Sequence, residues 1–224
     1  RAPVKIDPVI YIQENQLYYV NDELAHLKGL TLDDVRQSEP VTPENIDSLI
    51  NDIKNTGCNV IRWCVYWSNI EKDGPESYDE AYLALLREMI KKAETENLLV
   101  YFVPNEWYDK KDFWGATDTE DHDFLLEHYY GAMLHLARRV KDCTNVIGFA
   151  FPRGEISPLD ATETKERHKE FYELFQKKHP QYFFIEEEVQ GDSGVIWSKE
   201  TDPETKKMLK GLFLENNEVL LSVG

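Results

Sequence analysis

Basic residues are scarce in this chain. Lys and Arg number 25 against 42 Asp and Glu, a formal charge of −17. That balance argues against a nucleic acid or an anionic membrane surface as partner, because either selects a basic face. It fits a solvated acidic surface and equally a cleft for neutral or cationic ligands. Cysteine is nearly absent too. Cys58, Cys64 and Cys143 are odd in number and lack zinc-type spacing, so they imply no disulfide framework and read as structural thiols. No stretch approaches the ~20 consecutive apolar residues of a membrane span. The six histidines are scattered, which points away from a metal centre. There is no Gly-x-Ser-x-Gly elbow, and no Gly-rich phosphate loop follows the first strand pattern. No cofactor is implied. The opening "RAPVKIDPVIYIQENQ" shows no cleavable secretion signal and no initiating Met, as expected of a processed or trimmed chain.

What is present is enough apolar material for a core. Hydrophobic residues make up 42% of the 224 and aromatics 12%, which suits one domain over residues 1–224. Two short alternating runs in "VIYIQENQLYYVNDELAHLKGLTL" predict an N-terminal hairpin leading into a first core strand near residues 27–32. A pattern then repeats. "TPENIDSLINDIKNTG" reads as a helix with Thr42 as N-cap, Pro43 in the first turn and Gly57 as the stop. The strand "NVIRWCVYW" follows, then a helix whose Leu83, Leu86, Met89, Ile90 and Ala93 share one face. "LLVYFVPNEW", "VIGFAFP" and "QYFFIEEEV" read as further strands. The helices between them lie in "DTEDHDFLLEHYYGAMLHLARRVKDCTN" and "TKERHKEFYELFQKKHP". "GVIWS" reads as a weak strand, "DPETKKMLKGLFLENN" as a last helix and "EVLLSVG" as a last strand.

These strands lack polar alternation and so predict burial on both faces. Alternation with helices makes them a parallel sheet with right-handed crossovers. The fold class is α/β, and the choices are a doubly wound sheet, weakened by the missing Gly-rich loop, or a (β/α) TIM-type barrel. A full eight-fold barrel needs ~250 residues, so this one is expected to have fewer than eight strands. A short barrel exposes a sheet edge, which predicts either a terminal segment that plugs it or a second copy in a homo-oligomer.

In such barrels the chemistry sits where the strands end. The first strand delivers Thr31, Asp33 and Asp34, the second Arg62, Tyr66 and Trp67. The third delivers Asn105, Glu106, Trp107 and Tyr108, the fourth Arg153 and Glu155. The fifth delivers Glu186, Glu187 and Glu188, and the last strand only Ser222. The mouth is therefore acidic and aromatic, a composition that suits sugars. Arg62 inside a barrel needs an anionic partner with or without catalysis, and Asp33 or Glu186 is expected to provide it. Alternation sends Glu186 and Glu188 to one face of their strand and Glu187 to the other. Of the two tryptophans, Trp63 and Trp67, the second is placed in the cleft lining or in the core.

The segments "LAHLKGLTLDD", "GCNVIRWCVYWSNIE", "LLVYFVPNEWYD", "DFLLEHYYGAMLHLARRVKDCTNVIGF" and "EFYELFQKKHPQYFFIEE" resemble, in order, the first five βα units of family 5 glycoside hydrolases. The resemblance covers about residues 10–188, hairpin included. It implies a retaining cellulase- or β-mannanase-type (β/α)8 barrel and a secreted or cell-surface location. It also implies a carbohydrate partner, a β-glycan or mannan-like chain. Arg62 falls at the family's arginine ending strand two, Trp67 at its following tryptophan, and Asn105 with Trp107 at a mannanase-type "NNW". Arg62, Trp67, Asn105, Glu106, Trp107 and Tyr108 are thus the candidate substrate-binding residues.

Retaining hydrolysis needs two carboxyls ~5–5.5 Å apart, and here the chain departs from the family. The family's acid/base stands in an Asn-Glu-Pro ending strand four. This chain reads "FPRGE", where only a one-residue bulge brings Glu155 into place. The family nucleophile ends strand seven in Glu-Phe-Gly, whereas "VLLSVG" offers Ser222 and no adjacent base to activate it. Glu155 is the candidate acid/base, and Glu186 and Glu188, with Glu106, are candidate substitute carboxylates. Two functions follow from the resemblance. One is hydrolysis of β-linked glycans. The other is an inactive relative whose aromatic, acidic cleft binds carbohydrate or a protein partner.

Overall fold

The computed structural model describes residues 9–33, 41–105, 122–151, 161–188, 207–215 and 217–223. Its elements run β1 (Ile10–Gln13), β2 (Gln16–Tyr19), β3 (Leu27–Asp33), α1 (Ile46–Asn55), β4 (Val60–Tyr66), α2 (Trp67–Ile70) and α3 (Glu80–Thr95). They continue with β5 (Leu99–Asn105), α4 (His122–Arg139), β6 (Val146–Ala150), α5 (Ala161–Lys178), β7 (Phe183–Glu188), β8 (Met208–Phe213) and β9 (Glu218–Ser222).

Strands β3 to β9 close into a seven-stranded barrel in chain order. Each strand from β3 to β7 pairs in parallel with the next. Period-two alternation divides their side chains between two cores. Val60, Cys64, Tyr101, Phe183 and Ile185 fill the interior. Ile61, Trp63, Phe102, Phe149 and Phe184 face the helices. Both faces of β4 and β6 are dry, so those strands carry no polar alternation, whereas β8 and β9 leave alternate residues such as Leu212 and Leu220 exposed.

The helices follow from their apolar spacing. On α3, Leu83, Leu86, Met89, Ile90 and Ala93 are the buried face, and Asp79 caps the helix by accepting from the Tyr82 amide at 2.9 Å. The first helix starts later than its sequence signals. Asn45, not Thr42, is the N-cap of α1, and its Oδ1 accepts from the Thr42 amide in a preceding turn. Gly57 ends that segment at φ 81°, a conformation that glycine takes without strain.

The C-terminal part corrects the sequence expectation. Residues 208–213 form a strand, although Met208, Leu209, Leu212 and Phe213 fall at helical spacing. Pairing with β7 buries Leu209 in the barrel and Met208 against the outer layer, and this long-range pairing overrides the local period. The last strand, β9, is antiparallel to both β8 and β3. It closes the ring, so among the described residues the barrel has no open edge for a second copy to cover. The segment expected as a weak strand at residues 194–198 lies outside the described residues.

The predicted N-terminal hairpin forms from β1 and β2. Its Ile10, Ile12 and Leu17 join the interior core with Leu27, Val60 and Leu99, the first inward residues of their strands. The hairpin therefore stoppers the end of the barrel opposite the mouth. Strand β6 gains one residue against β5, since Val100 pairs Val146 and Tyr101 pairs Gly148. A Cβ at Gly148 would lie 1.8 Å from the Phe183 carbonyl oxygen, so only glycine lets β6 and β7 approach this closely.

Candidate functional site

Parallel register places Thr31 beside Arg62, and Arg62 beside Tyr101, on adjacent strands. All three side chains enter the barrel, and an acid from β7 meets them. Arg62 Nε donates to Glu187 Oε2 at 2.5 Å, and its Nη2 donates to Oε1 at 2.9 Å. The Tyr101 hydroxyl donates to Oε2 at 3.0 Å. Arg62 Nη1 reaches Thr31 Oγ1 at 3.4 Å and Cys64 Sγ at 3.6 Å, and the guanidinium lies 4.9 Å from the centre of the Phe213 ring. Residues from five strands thus converge on one bidentate pair. Its side chains are 10% exposed for Arg62 and 2% for Glu187.

The electrostatics follow from this burial. Desolvation opposes the charge on Arg62, but the hydrogen bonds and charge of Glu187 outweigh it and hold the guanidinium above its ordinary range. Burial first, and the Glu187 charge second, push the Tyr101 phenol well above its ordinary value. Tyr101 therefore stays a donor. Nearer the rim, the Tyr66 hydroxyl donates to Asp33 Oδ1 at 2.6 Å. The β8–β9 turn sits on the same rim, where the Asn217 carbonyl accepts from the Thr31 amide at 3.1 Å and from its hydroxyl at 3.0 Å.

The sequence candidates divide unevenly around this cluster. Arg62 lies inside as expected, but its partner is Glu187 rather than Asp33 or Glu186. Glu186 sits on the β7 face shared with Phe184, which belongs to the helix-facing layer. Glu188 ends β7 opposite Leu212, and Asn105 ends β5 opposite Tyr66; their side chains are outside the described residues. Glu106, Trp107, Tyr108 and Glu155 are outside them as well. Trp67 does not line the cleft: it is 0% exposed and packs between barrel and helices. Its Nε1 donates to Glu71 Oε2 at 2.8 Å. Glu71 is itself buried and also accepts from the Glu76 amide at 2.6 Å. Burial raises the Glu71 carboxyl, and these donors, with His128 at 3.3 Å, work against the rise. Ser222 pairs Lys210 near the start of β8, because β9 runs backwards, so it lies away from the mouth.

Sequence reasoning missed Glu187, Tyr101 and Phe213. Alternation separated Glu187 from its neighbours but left open which face was interior. The usable signal was Phe183 and Ile185, four and two residues earlier on the same face. Phe213 was hidden by its assignment to a helix. Among the described residues, no group of three or more His, Cys, Asp or Glu side chains is arranged to hold a metal ion. Among them, too, no helix is long and apolar enough to cross a membrane.

A family model described as cellulase (glycosyl hydrolase family 5) matches residues 23–149. No curated protein sequence matches the chain. Among solved structures, endo-glycoceramidase II from a Rhodococcus species aligns with TM-score 0.67 at 14% identity, over 94% of this chain and 58% of that one. An exo-β-1,4-mannosidase from Opitutaceae bacterium strain TAV5 aligns with TM-score 0.67 at 14% identity, over 88% and 39%. An endocellulase from Pyrococcus horikoshii aligns with TM-score 0.54 at 18% identity, over 83% and 59%. The chain thus spans less than two thirds of the length of each of these structures, and at such identities the likeness is one of fold.

Proposed function

Since the chain belongs to the cellulase family, glycosyl hydrolase family 5, we propose that it engages β-linked glycans at the mouth of its barrel and hydrolyses them. The observation that carries this reading is the Arg62–Glu187–Tyr101 cluster. It sets one acid, oriented by a guanidinium and a phenol, toward the strand ends where barrel enzymes keep their chemistry. In this reading Glu187 attacks the anomeric carbon while Glu155 protonates the departing glycosidic oxygen. Water, deprotonated by Glu155, then releases the glycosyl group from Glu187. Asn105, which ends β5, and Glu106, Trp107 and Tyr108 after it contact the sugar rings by stacking and hydrogen bonding. The glucan-, mannan- or glycolipid-directed names of the aligned structures support a β-linked substrate without choosing among them.

A second reading has its own observation. Both oxygens of Glu187 are already bonded and its side chain is 2% exposed. Attack on a sugar therefore requires Arg62 or Tyr101 to yield an oxygen. If neither does, the mouth binds glycan without cleaving it.

Aryl β-glycosides and β-mannan, tested with wild type, Glu155→Gln and Trp107→Ala, separate the two. Turnover that disappears in Glu155→Gln supports hydrolysis. Glycan binding without turnover, weakened by Trp107→Ala, supports the binding role. Absence of both binding and turnover refutes both readings.

A further inference from the structure

The inner wall of the barrel changes character along β3. Alternation sends Leu27, Gly29, Thr31 and Asp33 inward, and with them Val60, Arg62, Cys64 and Tyr66 of β4. Leu27 and Val60, nearest the hairpin, are sealed in the interior core, and a Cβ at Gly29 would meet Val219 at 2.8 Å. Thr31 and Asp33 are half-buried instead, so water reaches the wall here. Asp33 stands two residues beyond Thr31, which puts it ~6.6 Å farther toward the mouth.

Glu187, not Asp33, takes the charge of Arg62. Asp33 is met by Tyr66, whose hydroxyl donates to Oδ1 at 2.6 Å. That is the short distance of a hydroxyl donating to a carboxylate. Tyr66 is 5% exposed, and its ring packs in the interior core. Its hydroxyl is therefore fixed, and it fixes the acid in turn. A carboxylate has about four lone-pair sites, so one phenol does not exhaust it. The result is an acceptor oriented in advance on the wall of the mouth, which lowers the ordering cost of binding.

We propose that Asp33, oriented by Tyr66, is a specificity residue that accepts a hydrogen bond from one hydroxyl of a neutral sugar at the mouth. That a sugar occupies the mouth rests on the proposed function; the assignment of the acceptor rests on the Asp33–Tyr66 geometry. An acceptor of this kind discriminates twice. It disfavours a sugar deoxygenated at that position, which leaves the bond unmade, and a carboxylated sugar, which brings a like charge. Tyr66 is the positioning residue. The rival role is a plain tie between the ends of β3 and β4, which would alter stability and treat every ligand alike.

The test measures binding of cellobiose and β-1,4-mannobiose to wild type, Asp33→Ala, Asp33→Asn and Tyr66→Phe by titration calorimetry. The disaccharide that wild type binds should bind about tenfold or more weakly to Asp33→Ala, the loss expected of a hydrogen bond to a charged group. Tyr66→Phe should weaken it about threefold, since the acid stays but its orientation is released. Monodeoxy forms of the same disaccharide then identify the hydroxyl. One of them should bind wild type about tenfold more weakly than the parent, yet bind Asp33→Ala as well as the parent does. Melting temperatures show which variants fold, and Asp33→Asn, which keeps an acceptor oxygen for Tyr66, carries the comparison if Asp33→Ala does not. Binding of neither disaccharide to wild type refutes the proposed function and this assignment with it. Wild-type binding that Asp33→Ala and Asp33→Asn leave within about twofold, or a loss shared equally by all the deoxy forms, overturns the assignment and leaves the proposed function standing.

Discussion

Replacing Glu187 by Gln tests the interior pair most directly. The change keeps the shape but removes the charge that faces Arg62. It also turns an amide N–H₂ toward a group that only donates, so one of the contacts at 2.5 and 2.9 Å becomes donor against donor. With side chains 10% and 2% exposed, solvent does little to screen the orphaned guanidinium. Breaking a buried pair from one side costs about 3–5 kcal/mol. At a urea dependence of about 3 kcal/mol per molar, the high end for a domain, the midpoint should fall by about 1–1.7 M. The Phe213 ring at 4.9 Å remains to soften the loss. The double variant Arg62→Met/Glu187→Leu should lose far less than the single one, because removing both charges also removes the desolvation penalty. Tryptophan fluorescence and far-UV circular dichroism during urea unfolding measure all three proteins. A single variant that loses less than about 1 kcal/mol, or a double variant that loses the sum of both singles, refutes this account of the pair.

Two further outcomes rest on packing and burial. Gly148→Ala should cost about 3 kcal/mol or more, since the new Cβ meets the Phe183 backbone at 1.8 Å and neither strand is free to move; soluble expression and a melting temperature close to wild type would contradict it. His168 is 3% exposed, and burial pushes its imidazole down to about 4 from 6.5. A base whose folded pKa is depressed favours folding above the unfolded value, and that stability drains away as pH falls from about 6.5 to about 4. At pH 4.5 the loss should be about 2.5 kcal/mol relative to pH 7.5. His168→Gln, which keeps a partner for Tyr130, should lack that part of the slope. Parallel stability curves for the two proteins would show the histidine to be uninvolved.

Some of this architecture is written locally. The helical face of Leu83, Leu86, Met89, Ile90 and Ala93, the stop at Gly57 and the hairpin over residues 10–19 each follow from spacing within a few turns. The alternation of unbroken apolar strands with helices specifies a parallel sheet for the same reason, and the family resemblance made it a barrel. Trp67 was harder: its position just past a strand end fits a cleft, and only packing against Tyr129 on α4, at 5.9 Å between ring centres, assigns it to the core. Glu155 and the loop after β5 bear on the proposed chemistry but stand outside the described residues.

The order of strands and helices through β7, and the apolar face each helix buries, are properties of the amino-acid string itself, because periodicity acts over neighbours. Three matters were settled only when distant segments met: that residues 208–213 extend instead of coiling, that β9 reverses and seals the ring, and that Glu187 rather than Glu186 reaches Arg62. Each depends on pairing across the sheet. A one-residue change of phase exchanges inside for outside, and no local pattern reports the partner that sets the phase.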